Sequence, residues 1–145
     1  MALVYFDSSA LVKLVVDEEG SDLAAELWDA CDAALASRLA YSEVRAALAA
    51  ACRDHDLTNE DLDTAEQAWE QYWASVRPVE LTAAVEHHAG QLARTHALRG
   101  ADAVHLASAL ALADPDLIVA VWDWRLHTGA THAHLQVAPA HVPTT

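Results

Sequence analysis

Residues 2–14, ALVYFDSSALVKL, decide how the rest of the chain is read. An apolar run over residues 2–6 stops at Asp7. Two serines follow, and from Ser9 the apolar residues fall at helical spacing. The run is short and uninterrupted, which is the pattern of a strand buried on both faces. A carboxylate at the exit of such a strand has two readings. It caps the next helix, because an Asp oxygen accepts from the backbone N–H groups of a first turn. Or it is a metal ligand at the edge of a core. Other acids in similar places would separate the two.

Outward from this stretch, strands and helices alternate. Residues 9–16 read as a short helix, stopped by the Asp17, Glu18, Glu19 and Gly20 cluster, and Ser21 is placed to cap a second helix through about residue 30. Residues 33–37 read as a strand of small residues. Leu39, Val44, Leu48 and Ala51 set a helix over 40–53. Thr58 with Asp61 forms an acidic capping box. The helix it opens carries Leu62, Ala65, Trp69, Tyr72, Trp73 and Val76 on one side, and Arg77-Pro78 ends it. Residues 79–81 are a short strand candidate. Thr82 caps a helix with Val85, Ala89, Leu92 and Ala93 on its apolar face, closing near Gly100. A helix over 101–112, a turn at 114–116 and the clearest buried strand, 117–121, come next. A short helix around Arg125 and a strand at 135–137 finish the pattern. It predicts one α/β domain over residues 1–145, with a central parallel sheet of about five short strands and helices on both faces. In such sheets, ligands bind outside the carboxyl ends of the strands.

Charge narrows the function classes. The 145 residues carry 8 Lys+Arg against 22 Asp+Glu, a formal net charge of −14. Such a field repels nucleic acid at long range and suits a basic protein partner or a site that collects cations. Any action on RNA must then be local and metal-assisted. Cys31 and Cys52 have no metal or redox spacing and read as small buried residues of a reducing compartment. The first apolar run meets a charge too early for a signal peptide. No uncharged apolar stretch approaches the roughly 20 residues of a membrane helix. The expected location is cytoplasmic, without membrane association.

Four acids stand where that sheet would gather a ligand. Asp7 and Asp123 follow strands, Asp102 opens a helix and Glu43 lies in the first turns of the 40–53 helix. Taken singly, each is also a cap, a dipole partner or a solvated surface acid. Taken together, they converge on one edge, where each would raise its neighbours' pKa and a cation would be needed. Oxygen donors without His or Cys favour Mg²⁺ or Mn²⁺ over zinc. Metal-assisted phosphodiester hydrolysis is the chemistry this set suits best.

VYFDSSALVKL, SEVRAAL, GADAVHLASAL and VAVWDWRL resemble, in order and spacing, the four acidic motifs of PIN-domain ribonucleases, most closely VapC-type toxins of toxin–antitoxin pairs. The resemblance covers essentially the whole chain. It implies a PIN-like fold in which Asp7, Glu43, Asp102 and Asp123 hold Mg²⁺ or Mn²⁺ and cleave RNA through an activated water. It also implies an RNA target of the tRNA or rRNA class, a homodimer, and a cognate antitoxin whose basic C-terminal segment supplies the charge this chain lacks. Val121 stands where the family often has Thr or Ser, two residues before the last acid; Ser9 offers a hydroxyl close to Asp7. Two other readings stay open: a PIN-like RNA-processing nuclease outside any toxin pair, and a non-catalytic acidic binding module.

The remaining candidates are peripheral. Lys13, Arg38, Arg45, Arg99 and Arg125 lie near the acids in sequence, either as a phosphate-binding rim or as ion pairs with surface acids. His105, three residues past Asp102, reads as packed or as support for a ligand. His132 and His134 would share a strand face with His127 nearby, or are solvated. The stripe Trp69, Tyr72 and Trp73 is core, with an exposed part that would suit a partner helix.

Overall fold

The computed structural model describes residues 1–144. Five parallel strands form one sheet: β1 (Leu3–Phe6), β2 (Ala33–Ser37), β3 (Val76–Val79), β4 (Ile118–Ala120) and β5 (Gln136–Ala138), in the spatial order β3-β2-β1-β4-β5. The helices between them are α1 (Ser8–Val15), α2 (Ser21–Ala30), α3 (Ala40–Arg53), α4 (Asn59–Ser75), α5 (Ala83–His96), α6 (Gly100–Ala111) and α7 (Trp124–His132). The expected fold class, a parallel sheet covered on both faces, is the observed one.

Alternation along the strands builds two cores. Val4, Phe6, Ala34, Ala36 and Ala120 point to the face covered by α1, α3 and α4, where they meet Leu11, Val44, Leu48 and Trp69. Tyr5, Leu35, Val119 and Val121 point to the other face, against Leu92, Leu106 and Leu126 of α5, α6 and α7. Because both faces are buried, β1 reads as a continuous apolar run. Its central place puts the exit of β1 beside the exit of β4. The Asp7 N–H extends that pairing by donating to Ala120 O at 3.1 Å.

Several local expectations are corrected. The third strand starts at Val76, not at residue 79, and contains Arg77 and Pro78; β3 is an edge strand, paired only to β2, where a missing proline N–H is tolerated. Ser21 does not cap α2. It is the first helical residue, behind Gly20 at φ +92°, and its Oγ accepts from Glu18 N–H and donates to Val16 O. A Cβ on Gly20 would lie 2.7 Å from Trp122 Nε1, so glycine is required there for its backbone and for its size. The helix after Asp123 runs to His132, which removes the shared strand face proposed for His132 and His134. His127 is buried and donates from Nε2 to Pro139 O at 2.8 Å. The two cysteines are free but only half-buried. Among the described residues, no helix is long and apolar enough to cross a membrane.

The aromatic stripe of α4 is more enclosed than expected. Trp69 is fully buried, and Tyr72 and Trp73 are half-buried because Trp28 stacks edge-on to Tyr72 and Tyr41 lies against Trp69 and Trp73. Leu81 and Met1, not the tryptophans, are the exposed large apolar residues. Trp69→Ala should therefore destabilise the protein by about 3–5 kcal/mol, the usual cost of emptying a large core site, measured by urea unfolding. A cost under about 1 kcal/mol would place this side chain outside the core.

Candidate active site

Asp7 leaves β1 with extended backbone (φ −80°, ψ 175°) and becomes the N-cap of α1. Its Oδ1 accepts from Ala10 N–H at 3.1 Å and from Ser9 Oγ at 2.6 Å. Ser9 Oγ in turn accepts from Trp122 N–H at 2.9 Å and Asp123 N–H at 3.3 Å. One hydroxyl thus ties the exit of β1 to the exit of β4. Val121, by contrast, is fully buried and contributes no hydroxyl.

Asp123 caps α7, with Oδ1 accepting from Arg125 N–H at 3.0 Å and Leu126 N–H at 3.1 Å. Capping does not exclude a site role for Asp7 and Asp123, because each caps its helix through Oδ1 alone. Glu43 and Asp102 enter from the first turns of α3 and α6. All four acids, with Ser8, Ser9, Arg99, Ala101 and His105, line one pocket of about 340 Å³.

Two basic side chains, His105 and Arg99, stand among the acids, and they alter the expected electrostatics. His105 is 3 % exposed; its Nε2 lies 2.6 Å from Glu43 Oε1, and its Nδ1 lies 2.7 Å from the Tyr5 hydroxyl. With a neutral ring, Tyr5 donates to Nδ1 and Nε2–H donates to Glu43. Ser37 N–H donates to the same Tyr5 oxygen at 3.1 Å, and Ser8 Oγ donates to Glu43 Oε1 at 2.6 Å. Arg99 donates from Nε to Asp102 Oδ2 at 2.9 Å and from Nη2 to Asp123 Oδ2 at 3.0 Å.

Mutual elevation of all four pKa values is consequently not what the pocket shows. Burial raises the Asp7 carboxyl to about 6, against the opposing pull of His105, Ser9 and the Ala10 N–H; nearby Asp123 adds to the rise. Burial also works against the Glu43 charge, but the hydrogen bond and charge of His105 and the Ser8 hydroxyl outweigh it, and Glu43 falls below its ordinary value. For His105, burial favours the neutral ring, while Glu43, Asp7 and Asp102 reverse this and raise its pKa. Burial holds the Tyr5 hydroxyl protonated.

Of the basic candidates, the structure brings only Arg99 into the pocket. Lys13 binds Glu18 Oε1 at 3.0 Å and Glu19 O at 2.7 Å, and lies over the Trp122 ring. Arg38 pairs with Glu80, and Arg45 with Glu66 and Glu70 of α4. Arg125 stacks on Trp124 with its guanidinium carbon 4.8 Å from the ring centre. Ser8 is a site residue that reading the sequence overlooks, although its place beside Asp7 at a strand exit is a signal. Tyr5 was hidden in an apolar run, where only its polar tip marks it.

The donor chemistry of this pocket, carboxylates with serine hydroxyls, fits a hard divalent cation. Among the described residues, no three acidic, imidazole or thiol groups are gathered closely enough to hold a metal ion as they stand. The arrangement accounts for this, since His105 engages Glu43 and Arg99 bridges Asp102 and Asp123.

Comparison with known proteins assigns the family. The PIN domain model matches residues 4–121, which include all four acids except Asp123. This chain belongs to the PIN-domain family, among its VapC-type members. Ribonuclease VapC45 of Mycobacterium tuberculosis (strain CDC 1551 / Oshkosh) and Ribonuclease VapC49 of Mycobacterium tuberculosis (strain ATCC 25618 / H37Rv) are each 70% identical over 142 residues, covering 98% of this chain and 99% of the relative. A toxin–antitoxin complex from Klebsiella pneumoniae contains a chain with the same fold. Its TM-score is 0.67 at 18% identity, over 99% of this chain and 100% of that one.

The buried acid of this PIN domain has a consequence for stability. The folded Asp7 pKa of about 6 lies above its ordinary value of 3.8, so the native state binds the extra proton between these values. Stability from this group is present below about pH 4 and is lost as pH rises through about 6. The raised His105 acts in the same sense, losing its contribution as pH rises through its folded pKa. In metal-free buffer, Asp7→Asn should flatten the fall in melting temperature between pH 4 and 6, a difference on the order of 3 kcal/mol. Parallel pH profiles for the two proteins would contradict the burial assigned to Asp7.

Proposed function

We propose that the chain is a Mg²⁺- or Mn²⁺-dependent endoribonuclease and the toxin of a toxin–antitoxin pair. The observation that carries this reading is the meeting of Asp7, Glu43, Asp102 and Asp123 in one pocket at the carboxyl edge of a PIN-domain sheet. The ribonuclease names of the relatives at 70% identity support it.

The chain's own residues divide the work. Asp7, Asp102, Asp123 and Glu43 would hold the metal, with Asp7 oriented by Ser9 and Glu43 by Ser8 and His105. A bound divalent ion supplies an activated water and stabilises charge on a phosphoryl oxygen. Glu43 is kept ionised by His105 and Ser8, which both meet its Oε1, so it would serve as a charged ligand. Asp7, raised to about 6 in the metal-free pocket, would be held ionised to lower pH once a cation enters.

Partners follow from charge. A net −14 surface disfavours long-range capture of RNA, so recognition of a tRNA- or rRNA-class target must rest on local contacts. An antitoxin with a basic C-terminal segment complements that surface, and an Arg entering the pocket would pair with a carboxylate at two points. Arg99 already illustrates how well a guanidinium fits there. The family resemblance favours a homodimer and a cytoplasmic setting.

Purified protein should cleave total cellular RNA only with Mg²⁺ or Mn²⁺, and chelation should stop it. Asp7→Asn or Asp102→Asn should lower the rate about a hundredfold or more, since a bound ion contributes several kcal/mol to such a transition state. Metal-independent cleavage would overturn the metal reading, and no cleavage under any metal would favour a non-catalytic acidic binding module instead.

A further inference from the structure

The pocket holds a cation of its own. Arg99 stands just before α6 with extended backbone (φ −68°, ψ 160°). Its guanidinium spans two acids on two elements: Nε meets Asp102 in the first turn of α6, and Nη2 meets Asp123 at the start of α7. The Arg99 side chain is 58% exposed, whereas that of Asp102 is 10% exposed. Asp102 is thus held by burial and Asp123, 30% exposed, by its cap of α7, whereas the arginine head group has room to turn toward solvent.

A guanidinium and a divalent cation cannot share these oxygens without strong repulsion. Among the described residues, no other Lys or Arg lines this pocket. We propose that Arg99 is an exchangeable counter-ion: it clamps Asp102 and Asp123 in the metal-free protein and leaves them when a divalent cation binds. Once released, it sits at the pocket mouth as a planar donor fork for a phosphodiester of the substrate. The same side chain thus damps charge in the resting site and contacts phosphate in the working one. This inference rests on the reading of the pocket as a metal site. The opposing account makes Arg99 a staple between α6 and α7, needed to position the metal ligands.

The two accounts differ in sign for metal affinity. Mn²⁺ binding is measured by the EPR signal of free Mn²⁺ on metal-free wild type, Arg99→Gln and Arg99→Lys. Loss of one unit charge a few ångströms away should tighten Mn²⁺ binding in Arg99→Gln at least about fivefold. Arg99→Lys, which keeps the charge without the fork, should fall between Arg99→Gln and wild type. At saturating Mn²⁺, Arg99→Gln should nevertheless cleave total cellular RNA more slowly than wild type. Equal or weaker Mn²⁺ binding in Arg99→Gln overturns the exchange while leaving the metal reading intact. Tighter binding with undiminished cleavage overturns the phosphate contact. If wild type binds no Mn²⁺ at a site lost in Asp102→Asn, the metal reading itself fails, and the exchange falls with it.

Discussion

Four carboxylates facing one small pocket are costly to keep charged, and burial pushes the most enclosed of them, Asp7, toward its neutral form. The architecture of this PIN domain can be understood as the management of that constraint. Each acid is given hydrogen-bond donors: Asp7 from Ser9 and the Ala10 N–H, Glu43 from Ser8 and His105, Asp102 from Arg99, and Asp123 from the N-terminus of α7 and Arg99. Asp7, the most enclosed, still has its carboxyl raised by burial to about 6.

The support of Glu43 extends through the sheet. Tyr5 lies in the central strand, accepts from Ser37 N–H in β2, and reaches His105 on α6. His105 then reaches Glu43 on α3, a helix on the opposite face. A chain of hydrogen bonds therefore runs from β2 through β1 and α6 to α3 and orients one carboxylate. Rigid strands at its root and polar tips at its end are what a preorganised site requires.

Much of this was legible in the sequence because local signals and the fold agree. Apolar runs bounded by Asp or Ser marked β1 and β4, and the carboxyl-edge rule for parallel sheets pointed to Asp7 and Asp123. The third strand was displaced because Pro78 looked like a helix stop; its tolerance depends on an edge position, which is a property of the whole sheet. Basic residues were harder to place. Arg45 is near Glu43 in sequence but leaves α3 on another side and meets Glu66 and Glu70 from α4. Periodicity reports the face of one helix and says nothing of which acid a neighbouring helix presents. The Tyr5–His105–Glu43 connection was hidden for the same reason, since its three members are joined only by the packed fold.

The central claim is that the four acids form a single divalent-cation site from which the resident arginine withdraws. A crystal structure of the protein soaked with Mn²⁺, with an anomalous difference map, tests it most directly. The account predicts an anomalous peak within coordination distance of Asp7 and Asp102 or Asp123 oxygens, with the Arg99 guanidinium turned away from both acids. A map without a peak in this pocket, or a peak elsewhere with Arg99 still bridging Asp102 and Asp123, would contradict it.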